Sequence, residues 1–114
     1  MKENDEVYLS HIVDAIERIE EYCQGVSRQK FLKNKMVAAA AVRELEIIGE
    51  AARNVSREFR KMNPELPWEQ MTGTRNRLIH EYFGVDYEII WEIAIKDLFK
   101  NKEDLETILL LENK

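Results

Sequence analysis

Residues 36–62 read MVAAAAVRELEIIGEAARNVSREFRKM, and this stretch decides the fold class. Its apolar residues recur at alternating steps of four and three, at Val37, Ala41, Leu45, Ile48, Ala52, Val55, Phe59 and Met62. This spacing places all eight on one face of an α-helix. We therefore predict one long helix that ends at Asn63–Pro67, because proline cannot continue the helical hydrogen-bond ladder.

The same periodicity continues upstream. An apolar stripe predicts a first helix, with Tyr8, Ile12, Ala15, Ile19 and Tyr22 on its buried face. Asn4 or Asp5 is a suitable N-cap for it, and Gly25 a suitable end. Residues 27–32 are typical of a short connector helix.

Downstream, Pro67 suits the first turn of a helix predicted over residues 68–82, with Gly84 at its end. A last helix, capped by Asp86, is predicted to run from residue 87 toward residue 112, with a bend or break at Asn101. We thus predict an all-α fold, an antiparallel bundle of four main helices plus a short connector helix.

Length and composition narrow the protein class. The 114 residues fit a single domain, 1–114, and 45% apolar residues with only four Gly and two Pro exclude a disordered or fibrous chain. The longest uncharged apolar run, Met36–Val42, is too short to span a membrane. The single cysteine, Cys23, excludes a disulfide framework and a four-cysteine zinc site, and it favours a cytoplasmic location.

Charge is distributed unevenly. The net charge of −5 argues at first against a nucleic-acid partner. Residues 1–22 and 78–114 each carry −5, however, whereas residues 23–77 carry eleven basic and six acidic side chains, a net +5. The basic middle is compatible with an anionic ligand, although ordinary solvated helix faces also account for it.

One segment, RNRLIHEY at residues 75–82, concentrates chemically capable side chains. On a helix, Asn76 and His80 are i,i+4 neighbours, so the amide can orient the imidazole. Arg75 adds an anion clamp to a group that titrates near neutrality. A histidine at the end of a helix can instead serve only as a favourable partner of the helix dipole. The spacing alone leaves both interpretations open.

The surrounding residues resemble a known family. Leu66-Pro67-Trp68, followed by RNRLIHEYFGVD at residues 75–86, is similar to the HepT-like branch of the HEPN superfamily. The segment LEIIGEAA at residues 45–52 resembles the second signature of that branch. The resemblance extends from the first helix to about residue 100, and its core is the R-x4-H-x-Y motif.

The resemblance implies an all-helical homodimer that cleaves RNA without a metal or cofactor. It implies that Arg75 and His80 are the catalytic pair and that Asn76 supports them in a cleft at the dimer interface. It further implies a toxin of a type VII-like toxin–antitoxin pair. Its partner would be a small nucleotidyltransferase antitoxin that adenylylates Tyr82.

The chemistry is consistent with that expectation. Metal-free RNA cleavage uses the 2′-hydroxyl as its nucleophile and needs a base, an acid and positive charge near the phosphorus. A single His80 per subunit cannot be both base and acid in one event, whereas a two-fold dimer brings two together. The sequence contains no H-E-x-x-H or D-x-D-x-D pattern that would favour a metal-dependent nuclease.

Other residues carry weaker predictions. Arg53, Arg57 and Arg77 are candidate contacts to the RNA backbone, and Arg60 and Lys61 extend the same basic track. A plain solvated face explains that track equally well. Glu50 either faces the cleft or pairs with Arg53. We interpret four remaining residues as structural: His11, Cys23, Trp68 and Trp91.

Two competing functions remain. The chain can be a non-catalytic helical module that binds a nucleotide or a partner nucleotidyltransferase, with the motif as an anion site. It can also be a purely structural bundle, in which case replacing Arg75 changes stability alone.

Overall fold

The computed structural model describes residues 3–73, 87–97 and 99–112, and every element among them is helical. The elements in chain order are α1 (Glu3–Cys23), α2 (Arg28–Lys33), α3 (Lys35–Asn54), α4 (Arg57–Met62), α5 (68–73 in the described part), α6 (Tyr87–Trp91), a π-helical turn (Glu92–Asp97) and α7 (Phe99–Glu112). The predicted all-helical bundle is confirmed.

The core forms chiefly between α1 and α3. Ile12, Ile16 and Ile19 of α1 are fully buried, as are Ala38 and Ala41 of α3. Burying an isoleucine side chain contributes about 1.5–3 kcal/mol, so this interface is a main source of stability. Tyr22, which was predicted to lie on the buried face, is instead 37% exposed.

The predicted cap of α1 is wrong, whereas its predicted end is correct. The helix already begins at Glu3, so Asn4 and Asp5 lie inside its first turn. After Cys23 the chain turns at Gly25, whose φ of +72° lies in the left-handed region that glycine tolerates best.

Cys23 itself is buried, and burial raises the pKa of its thiol.

The single helix predicted over residues 37–62 is interrupted. Val55 adopts an extended conformation and ends α3, and Ser56 then caps α4 by accepting a hydrogen bond from Phe59 N at 3.2 Å. Asp5 of α1 holds the break in place, since its carboxylate accepts from Ser56 N at 2.7 Å and from Ser56 Oγ at 2.6 Å. Beyond the break Met62, predicted to be apolar core, is 76% exposed.

A half-buried ion pair links α1 to α3. Arg18 Nε donates to both carboxylate oxygens of Glu44, at 2.8 and 2.9 Å. The Glu44 side chain is only 5% exposed, so Arg18 supplies the hydrogen bonds that its buried carboxylate would otherwise make to water. The hydrogen bond to Glu44 is the main reason that the pKa of Arg18 is raised.

The last predicted helix is also irregular. Regular α-helix stops at Trp91, and the π-helical turn Glu92–Asp97 separates α6 from α7. The irregularity therefore precedes Asn101, where the sequence predicted a bend. Lys102 ties α7 back to α1 through Glu20, at 3.1 Å. That hydrogen bond is the main cause of the raised pKa of Lys102.

Candidate functional site

The motif predicted to carry the chemistry falls between two described parts of the chain. Residues 74–86 lie outside the description, and they include the predicted site residues Arg75, Asn76, Arg77, His80 and Tyr82 as well as the predicted helix-ending and capping residues Gly84 and Asp86. The predictions for these residues stay predictions. What the structure establishes is how the chain is held on each side of the motif.

On the N-terminal side, α5 is anchored in the core. Trp68 packs edge-on against Phe59 with ring centroids 6.1 Å apart, and its Nε1 donates to the carbonyl of Asn63 at 2.9 Å. Met71, one turn further on, is 2% exposed. The carbonyl of Pro67 accepts the first helical hydrogen bond, from Met71 N. The chain thus enters the motif, two residues after Gly73, from a packed helix.

On the C-terminal side, α6 is anchored in the same way. Ile90 is 2% exposed, and the ring of Trp91 packs against that of Phe31 at a centroid distance of 5.2 Å. Glu88 adds an exposed ion pair with Arg28 of α2, at 2.8 Å. The structural roles predicted for both tryptophans are confirmed.

The second signature, LEIIGEAA, lies in the middle of α3 and has one buried face and one exposed face. Leu45, Ile48 and Gly49 are buried against the core. Glu50 is exposed and lines a groove of about 340 Å³ between α1 and α3, which we name the α1–α3 groove. Tyr8 and His11 line it from α1, with their rings edge-to-face at 6.2 Å.

Among the ion pairs of the described residues, none joins Glu50 to Arg53, which was one of the two arrangements considered for it. Instead Asn54 Nδ2 donates to the Glu50 carbonyl at 2.8 Å and approaches Glu50 Oε1 at 3.5 Å. Glu50 also takes part in a further interaction. Its side chain lines the α1–α3 groove, and the prediction that it faces the catalytic cleft stays a prediction.

The basic track is divided by the break between α3 and α4. Arg53 is exposed in the last turn of α3, whereas Arg57, Arg60 and Lys61 line a separate groove of about 740 Å³ beside α5. Sequence reasoning treated all four as neighbours on one helix. The signal that could have separated them is Ser56, a favoured N-cap residue.

No helix in the described ranges 3–73, 87–97 and 99–112 is both long and apolar enough to cross a membrane. In the same ranges, no three His, Cys, Asp or Glu side chains are grouped so as to hold a metal ion.

Comparison with known proteins gives consistent matches. The family model described as "Ribonuclease HepT-like" matches residues 12–109. A protein of Caldanaerobacter subterraneus subsp. tengcongensis named "Putative RNase" is 43% identical over 102 residues, which cover 90% of this chain and 91% of the relative. The "Probable ribonuclease HepT" of Thermococcus cleftensis is 40% identical over 108 residues, which cover 95% and 98%. No solved structure matches the chain with significant similarity.

Proposed function

Because this chain belongs to the HepT-like ribonuclease family, we propose that it is a metal-independent endoribonuclease and the toxin of a toxin–antitoxin pair, acting in the cytoplasm. The observation that carries the proposal is the family match over residues 12–109, which contains the whole R-x4-H-x-Y motif. Relatives of nearly the same length carry ribonuclease names, which supports the same class of activity.

The proposed reaction is an internal transesterification. The RNA 2′-oxygen loses its proton to a base and attacks the adjacent phosphorus, and the bond from phosphorus to the 5′-oxygen breaks. An acid protonates the leaving 5′-oxygen, so the products are a 2′,3′-cyclic phosphate and a 5′-hydroxyl end. His80 transfers the protons, and Arg75 stabilises the negative charge that develops on the phosphorane oxygens.

A homodimer completes this machinery. Each subunit has one His80, so the base and the acid come from two subunits whose motifs face one cleft. Asn76 orients the imidazole in each subunit. The described helices on either side of the motif, α5 and α6, are anchored in the core, which is compatible with a site held on a fixed scaffold.

The proposal predicts RNA cleavage that needs no divalent metal. Purified protein should cut single-stranded RNA equally well with and without EDTA, because the nucleophile belongs to the substrate. The products of this cleavage should carry cyclic phosphate ends by mass spectrometry. The same oligonucleotide with 2′-deoxyribose at the cleaved position should stay intact.

Cleavage that EDTA abolishes would contradict the mechanism. A homodimer that binds AMP or ATP but leaves every RNA intact would instead support the competing function, a non-catalytic nucleotide-binding module.

The proposal also assigns a switch to Tyr82, with a small nucleotidyltransferase as the antitoxin. Adenylylation adds bulk and negative charge, which would keep an RNA phosphate out of the cleft. Incubation with that transferase and ATP should add one AMP per chain and suppress cleavage. Tyr82→Phe should remain unmodified and active under the same conditions, and AMP incorporation at another residue would contradict the assignment.

A further inference from the structure

A groove with a basic side runs beside α4. Arg57, Arg60 and Lys61 line it from α4, while Trp68 and Gln70 line it from α5, and its volume is about 740 Å³. Glu69 is the single acidic residue in this lining, so positive charge predominates. We refer to it below as the basic groove.

The cations of the basic groove lie close together on α4. Arg57 and Lys61 are exposed and stand i,i+4 on the helix, with Arg60 between them on the same face. None of the three forms an ion pair with any residue that the structure describes. Like charges at this spacing destabilise a helix slightly, so their clustering favours an anionic ligand.

The walls of the groove are fixed from several directions. Asp5 holds the N-cap of α4 through two hydrogen bonds to Ser56. Phe59 of α4 packs against Trp68 of α5, and Trp68 Nε1 donates a hydrogen bond to the carbonyl of Asn63. The cations are therefore presented on a preformed surface, which lowers the entropic cost of binding.

We infer that the basic groove binds the phosphodiester backbone of single-stranded RNA and leads it toward the catalytic motif. This inference rests on the proposed ribonuclease function. The groove favours such a ligand because it offers several cations in a row, and because its α5 wall continues in sequence into Arg75, with four residues between Gln70 and Arg75. Arg53 does not line the groove and is not part of this contact.

A matched pair of variants tests the inference. Arg57→Gln with Lys61→Gln removes two exposed charges from the groove. Lys33→Gln with Lys35→Gln removes two exposed charges near the start of α3, which is a twenty-residue helix and so places them roughly 30 Å away. The probe is a fluorescent 2′-O-methyl oligoribonucleotide, which the enzyme cannot cleave, and the readout is fluorescence anisotropy at several salt concentrations.

The groove variant should bind the probe about tenfold more weakly than the wild type. The slope of its log Kd against log salt concentration should be shallower by about 1.4, because two charges have been removed. The control variant should change Kd by less than about twofold, because distant exposed charges are screened. Equal weakening in both variants would overturn the inference in favour of a general effect of net charge. If polyglutamate displaced the probe as well as unlabelled RNA does, the groove would be a site for an acidic protein instead.

RNA cleavage by the same preparations separates this inference from the proposed function. An active wild type combined with unchanged probe binding by the groove variant would overturn the inference alone. An inactive wild type combined with groove-dependent binding would overturn the ribonuclease proposal and leave the RNA site standing. Circular dichroism melts that match the wild type would show that neither variant acts through unfolding.

Discussion

Replacing His80 with alanine should lower the rate of RNA cleavage about a thousandfold while leaving the helical content unchanged. The expected loss is large because general acid–base catalysis contributes two to four orders of magnitude, and in a two-fold dimer one substitution removes both proton-transfer groups. Single-turnover cleavage of a defined RNA measures the effect. His11→Ala is the matched control, because His11 is the other histidine of the chain and is exposed on α1.

Mixed dimers test whether the general base and the general acid come from different subunits. A dimer of one wild-type and one His80→Ala subunit, isolated with two different affinity tags, should be nearly as inactive as the His80→Ala homodimer. The reason is that base and acid come from different subunits. Half of the wild-type rate in the mixed dimer would contradict a shared cleft. Full activity in the His80→Ala homodimer would contradict the assignment of His80 itself.

Helix type and core composition could be predicted from the sequence because both depend on local periodicity. The apolar stripe of residues 37–59 correctly identifies Ala41, Leu45 and Ile48 as core. The same stripe runs through Val55 without interruption, so it cannot reveal the break there. The break depends on Asp5, 51 residues earlier in the chain, which binds the Ser56 cap. Contacts of that kind appear only once α1 is packed.

The two parts of the candidate site, the catalytic motif and the basic groove, differ in how far the sequence predicts them. The catalytic motif is contiguous in sequence, so its resemblance to the motif of the HepT-like family suffices to propose Arg75 and His80. The basic groove is assembled from α4 and α5, whose relative placement depends on the packing of Phe59 against Trp68. Periodicity therefore linked Arg53 to Arg57, whereas the fold links Arg57 to Arg60, Lys61 and the wall of α5.

Stability should depend strongly on the ion pair between α1 and α3. Arg18→Met should lower the free energy of unfolding by about 2 kcal/mol, because it leaves the buried carboxylate of Glu44 without its bidentate partner. Removing one member of a fully buried pair costs about 3–5 kcal/mol. The smaller value applies here because the Arg18 side chain is 40% exposed, so water can reach the vacated position.

Urea denaturation with a matched surface variant measures this effect. Arg43→Met breaks an exposed pair with Glu46, whose charged atoms are 3.6 Å apart, and should cost less than about 0.5 kcal/mol. Arg18→Met combined with Glu44→Leu should recover most of the lost stability, since it removes the unpaired charge and fills its volume with an apolar side chain. Equal losses for Arg18→Met and Arg43→Met would show that the buried carboxylate does not govern the packing of α1 on α3.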